Sequence, residues 1–169
     1  MRKILDHLYD GAAWLAALAM IGVLVMVLLS IVGRQLNFHL PGTDAYAGYS
    51  MAAAGFLALA HTLKRNEHIR VTLLVSRLSG HAKRALELWA LSAAVVLAGL
   101  FAFYAVRLAW QSRLLNDVST SSDATPLWIP QIAMALGTVV LLIAFVDEWM
   151  MEWRGRRRVG EPEEALHHE

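Results

Sequence analysis

Four long stretches of the chain carry no Asp, Glu, Lys or Arg: residues 11–33, 45–63, 88–106 and 124–146. Each is close to the ~20 residues that a helix needs to cross ~30 Å of hydrocarbon. Only His61 interrupts them, near the end of the second. The pattern predicts an all-α integral membrane protein with four transmembrane helices, at about 14–32, 45–63, 86–110 and 127–147. These form one membrane domain over 1–153, followed by a basic and then acidic tail over 154–169 that is expected to be disordered.

The polar stretches between the spans differ in kind. Residues 36–43 hold Leu40, Pro41 and Gly42, a turn signal. Thr43 or Asp44 then suits the N-cap of the second helix, where an acid also complements the macrodipole. Arg34 and Asp44 bracket this hairpin. Two readings stand: an ion pair across a tightly closed turn, or an anchoring arginine beside a capping acid. Residues 116–125 are polar and turn-rich. Pro126 suits a first helical turn with Thr125 as cap, and Pro130, one turn later, predicts a kinked start to the fourth helix. The central segment is basic: Lys64, Arg65, Arg70, Arg77, Lys83 and Arg84 stand against Glu67 alone. Within it Ile69, Leu73, Leu74 and Leu78 fall on one helical face, which suits a short amphipathic helix lying on the membrane surface. A plain basic loop is the other reading.

Charge then sets orientation. Arg2 and Lys3, the six central residues, and Arg154, Arg156, Arg157 and Arg158 make twelve on one side, against Arg34, Arg107 and Arg113 on the other. The positive-inside rule puts both termini and the central segment in the cytoplasm. All six tryptophans sit near predicted span ends, as interfacial indoles do: Trp14, Trp89, Trp149 and Trp153 inside, Trp110 and Trp128 outside.

Composition adds little beyond this. Charged residues make up 17% of the chain and the mean hydropathy is +0.47, against about 25% charge in a soluble domain. There are no cysteines, which removes disulfides and thiolate metal sites. The second span is crowded with Ala, Gly and Ser. Gly48 and Ala52 share a face, as do Ala47, Met51 and Gly55, a spacing that lets membrane helices approach closely. Whether the partner lies in this chain or another subunit stays open.

Catalytic patterning is missing. The first span holds no carboxylate, as a small multidrug-type antiporter of four helices would need. The seven histidines lie at span ends or in tails, which disfavours an enzyme subunit that binds haem or quinone. No cofactor, metal, catalytic residue or nucleic-acid partner is expected.

Several of these residues together resemble a known family. Arg34 closes the first span and Pro41 and Gly42 precede an acid. A small-residue helix follows with Gly55, Phe56, Leu57, Ala58, Leu59 and Ala60. Then come Lys64, Arg65, Glu67, His68, Ile69, Arg70, Val71, Leu73 and Leu74, and finally Pro126, Trp128 and Pro130 followed by Gly137. This resembles the small membrane subunit of tripartite ATP-independent periplasmic (TRAP) transporters, the DctQ-like family, over about 14–150. One departure is that Asp44 is followed by Ala45, where the family often has two adjacent acids. The resemblance implies a non-catalytic small permease subunit in a bacterial inner membrane. Such transporters use a sodium gradient to import carboxylate-bearing solutes captured by a periplasmic binding protein. The small subunit scaffolds and anchors the large transport subunit. Partners implied are that large subunit, the binding protein transiently, and membrane lipids. Candidate contact residues are Arg34, Asp44, Gly48, Gly55, Arg65, His68, Ile69, Arg70, Leu73, Leu74, Trp128 and Pro130. The alternative is a four-helix assembly or regulatory protein unrelated to transport. In either case, reporter fusions after Arg84 and Arg158 are expected to read cytoplasm, and fusions near Leu40 and Ser121 periplasm; a periplasmic signal from the central segment would overturn the orientation.

Overall fold

A computed structural model describes residues 2–38, 40–64 and 81–154. The described residues form four α-helices: α1 (Arg2–Gln35), α2 (Thr43–Lys64), α3 (His81–Leu114) and α4 (Trp128–Trp153). The central segment that carries Arg65, His68, Ile69, Arg70, Leu73 and Leu74, with its expected surface helix, lies outside the described residues. So does most of the tail.

α1, α3 and α4 are each long and apolar enough to cross a membrane. At 1.5 Å per residue, α1 and α3, of 34 residues each, run about 51 Å and outreach a ~30 Å hydrocarbon core. α2, of 22 residues, runs about 33 Å. Its length suffices, but Ala, Gly, Ser, two tyrosines and His61 dilute its apolarity.

The helices pack as a row rather than a closed bundle. α1 lies along α2, α2 along α4, and α4 along α3, so α1 and α3 form the flanks. At one end, Tyr9 of α1, Ala60 and Leu63 of α2, and Leu141 and Ala144 of α4 make a common core cluster. This is the terminal end, where α1 starts and α4 finishes. The connections 36–42 and 115–127 lie at the opposite, hairpin end.

The interior is made of small side chains and the exterior of large ones. Buried apolar residues include Ala12, Ala16, Ala54, Ala60, Ala98, Ala102, Ala105, Ala135 and Ala144, while Leu18, Leu24, Val25, Leu28, Leu97, Leu100 and Phe103 are exposed. In lipid, burying a leucine gains little, because the acyl chains are equally apolar. Association comes from close van der Waals contact, which small residues permit. The tightest contact is α4 on α2: a Cβ at Gly137 would sit 2.5 Å from the Phe56 carbonyl oxygen and 2.6 Å from its carbonyl carbon. Beside it Thr138 is fully buried, and its hydroxyl donates back to the carbonyls of Met134 and Ala135 at 2.9 and 3.0 Å. The polar group is thereby satisfied within its own helix.

The start of α4 departs from the sequence reading. The helix begins at Trp128 with Leu127 at the N-cap and no side-chain cap. Pro126 instead pairs with Val118 in an isolated antiparallel bridge, and the Thr125 hydroxyl reaches Tyr46 of α2 at 3.0 Å. Pro130 therefore falls in the first turn, where its missing N–H interrupts no helical hydrogen bond, and no kink is required of it.

Replacing Gly137 by Ala is expected to destabilise the subunit by about 1–3 kcal/mol, because the added methyl meets backbone rather than a movable side chain. Gly99→Ala, where the nearest atom is a Leu142 methyl at 3.8 Å, is expected to be neutral or stabilising. Thermal unfolding in detergent checks both.

Candidate functional site

Both connections at the hairpin end are built by specific backbone geometry. α1 ends with the Leu36 N–H donating to Val32 O at 2.9 Å and the Phe38 N–H to Gly33 O at 2.9 Å, around Asn37 at φ 54°. Asn tolerates that left-handed conformation better than most residues. Gly42, at φ +85°, then turns the chain into α2, and a Cβ there would lie 2.6 Å from the Cβ of Asp123. Gly42 is thus required by its conformation and by the approach of the other connection.

That second connection is an ordered hairpin. The Leu127 N–H donates to Asp117 O at 2.9 Å and the Ser119 N–H to Thr125 O at 2.8 Å. At its tip the Asp123 carboxylate accepts from the Ser119 hydroxyl at 2.9 Å, the Tyr49 hydroxyl at 3.1 Å and the Thr125 N–H at 3.3 Å. Tyr46 meets Tyr49 edge to face, with ring centroids 6.1 Å apart. Hydrogen bonding from Thr125 is the largest influence on the Asp123 carboxyl. Ser119, the residue's own backbone and Tyr49 act in the same direction, and burial opposes them. The net effect holds it down to about 2. Asp123 thereby latches the 115–127 connection onto α2. The sequence reading took this stretch only as a polar turn and missed the latch. An Asp within a Ser/Thr-rich run was the available signal, but its partner Tyr49 lies 74 positions away.

Beside the latch, a cleft of about 350 Å³ opens between the end of α1 and the start of α2. Ser30, Arg34, Asn37, Phe38, Thr43 and Asp44 are among its lining residues. Arg34 and Asp44 share this cleft but do not form an ion pair. Asp44 instead accepts a long hydrogen bond from Ser30, at 3.4 Å. Of the two readings of the hairpin, the closed ion pair is not made.

The remaining predicted site residues are scattered. Trp128 opens α4 beneath the Arg113 guanidinium, 5.4 Å from the ring centroid, an arrangement that suits a headgroup-level indole. Gly48 and Gly55 lie on α2 with no atom within 4 Å of an added Cβ.

The terminal end carries polar contacts that the sequence reading did not single out. His61 Nδ1 lies 3.6 Å from Asp10 Oδ1. Trp149 donates to the Ser92 hydroxyl at 3.0 Å and stacks on Trp153, and Arg84 donates to the Trp153 carbonyl at 2.9 Å. A second cleft, of about 210 Å³, is lined by Asp6, Tyr9, Leu63, Asp147 and Glu148 among others. The adjacent acids Asp147 and Glu148 are visible in the sequence; their meeting with Asp6 of α1 is not. Among the described residues, no three His, Cys, Asp or Glu side chains are grouped to hold a metal ion.

Because the Asp123 carboxyl is held low, its contribution to stability is complete above the usual aspartate range near 3.8 and is lost as pH falls through about 2. The prediction is a thermal stability independent of this group at neutral pH and declining below about pH 4, with a shallower acid decline in Asp123→Asn. Tyr49→Phe should lower the melting temperature modestly, through the loss of one hydrogen bond to the carboxylate. Unfolding curves across pH check both.

No curated protein matches the sequence. The family description "Tripartite ATP-independent periplasmic transporters, DctQ component" matches residues 23–155, from the middle of α1 to just past α4. That span takes in both hairpin-end connections, the small-residue helix α2 and the close approach at Gly137. The chain belongs to the DctQ component family of the tripartite ATP-independent periplasmic transporters.

Proposed function

We propose that the chain is the non-catalytic small permease subunit of a sodium-coupled secondary transporter importing carboxylate-type solutes, and that it anchors and scaffolds the large transport subunit in a bacterial inner membrane. The observation that carries this reading is the family match across all four helices. The architecture is compatible with it, since the described residues provide interfaces and anchors. Substrate and ion sites belong on this reading to the large subunit, and a periplasmic binding protein delivers the solute.

α2 serves as a fourth span. Support comes from its place in the row: it lies packed between α1 and α4, both apolar enough to cross the bilayer, so it enters the membrane with them. Both termini then face the cytoplasm, and the Asp123 latch and the Arg34 cleft face the periplasm. The basic segment with Arg65, His68, Ile69 and Arg70 rests on the cytoplasmic surface. Each Lys or Arg there contributes about 1 kcal/mol of attraction to an anionic leaflet. Ile69, Leu73 and Leu74 each add at most about 1.5–3 kcal/mol on full burial.

Co-expression with the large subunit and binding protein of the same system tests the reading. Sodium-dependent uptake of a labelled carboxylate is expected only when all three are present, and the large subunit is expected to copurify with this chain. Uptake that persists without the chain, or without sodium, would overturn it. Changing Ile69, Leu73 and Leu74 together to Ser should leave the spans inserted while weakening copurification and uptake, whereas Thr72→Asn with Ser76→Asn should change little. Normal transport by the triple variant would reduce the segment to a loop.

A further inference from the structure

The two flank helices stop in the same way. α1 closes on Gly33, Arg34, Gln35, Leu36 and Asn37, and α3 on Ser112, Arg113, Leu114, Leu115 and Asn116. Both helices have 34 residues, so this shared Arg-x-Leu-Asn falls at the same place in each. The geometry matches the sequence. The Leu36 N–H donates to Val32 O and the Leu115 N–H to Gln111 O, both at 2.9 Å. The Phe38 N–H donates to Gly33 O and the Asp117 N–H to Ser112 O, again both at 2.9 Å. Asn37 and Asn116 take left-handed φ values of 54° and 52°. Such a stop folds the following residues back onto the last free carbonyls of the helix. Gly33 and Ser112 are buried, whereas the arginine, leucine and asparagine are exposed at both stops.

The turn itself asks only for a residue that tolerates a positive φ, and the arginine also complements the helix dipole. Neither requirement explains the leucine. Leu36 is 67% and Leu115 73% exposed, each two residues beyond an exposed arginine. A cation beside a bare apolar side chain suits the boundary between lipid phosphates and acyl chains. The positions of the two stops show which surroundings they share. α1 and α3 are opposite edges of the row, with α2 and α4 between them. One protein partner cannot meet both edges with the same residues. The medium common to both is the bilayer, which α1 and α3 are each apolar enough to cross.

We infer that Arg34 with Leu36, and Arg113 with Leu115, are two equivalent phospholipid contacts that set both edges of the row at one depth. At each, the guanidinium holds a lipid phosphate through charge-assisted hydrogen bonds, and the leucine lies against the first carbons of the acyl chains. What backs the arginine differs between them. The Trp128 ring lies 5.4 Å from the Arg113 guanidinium, whereas Arg34 lines the hairpin-end cleft with Ser30 and Asp44. The contacts need only that α1 and α3 cross a membrane, whatever the chain assembles with.

The chain has no cysteine, so Leu36→Cys and Leu115→Cys each give one site for a bimane label in the full chain, reconstituted into phosphatidylcholine vesicles. All four positions are exposed, so the fold tolerates the changes. Lipids brominated near the carboxyl end of the acyl chain should quench both labels to the same extent, and iodide in the water should quench neither. Quenching by iodide at either position, or unequal quenching by the lipid, would overturn the inference. Arg34→Gln should let the label at 36 sink towards lipids brominated in mid-chain and leave the label at 115 where it was. Arg113→Gln should do the converse, and Arg34→Lys and Arg113→Lys should each keep the shallow depth. Depths unmoved by both glutamine changes would remove the phosphate from the contacts and overturn them. Adding the large subunit should leave both lipid signals in place. Loss of either would mean that protein covers that edge, which would also overturn the inference without touching the assembly proposed above.

Discussion

At Gly137 the backbone of α4 rests directly on the backbone of α2 at Phe56, with no room for a methyl group between them. The rest of the row depends on that contact. It sets α2 and α4 as the central pair, leaves α1 and α3 to pack on their outer sides, and brings Ala60, Leu63, Leu141 and Ala144 together at the terminal end. A side chain at position 137 would part the helices and open a void along an interface whose strength comes from proximity. The alanine-rich interior is the same constraint repeated along the other contacts, and the leucines and valines are displaced to surfaces where lipid accepts them.

The two ends of the row are held differently. At the hairpin end one carboxylate, Asp123, collects three donors and ties the 115–127 connection to α2. Gly42 supplies the clearance that lets the connections touch. At the terminal end the ties are spread over Trp149 with Ser92 and Arg84 with the Trp153 carbonyl. The row is thus tied at both ends, and its flanks carry large apolar side chains. The family to which the chain belongs makes it one component of a larger assembly.

The four helices were legible in the pattern of residues. Each charge-free window falls largely on a helix, because helical hydrogen bonds close within one segment and that requirement is local, while α1 and α3 run well past their windows. The sequence also carried the family, through Arg34, Pro41, Gly42, the small-residue helix and the basic segment. The tertiary structure decided which helix lies against which, since small residues announce close packing without naming the partner. Gly137 and Gly48 read alike in the sequence, yet one is filled by the backbone at Phe56 and the other faces open space. It decided that Thr125 serves Tyr46 rather than capping α4, because the hairpin through Val118 and Pro126 delays the helix to Trp128. It decided too that Arg34 and Asp44 share a cleft without pairing. Such outcomes turn on distances between residues far apart in the chain, and those distances exist only once the helices have docked.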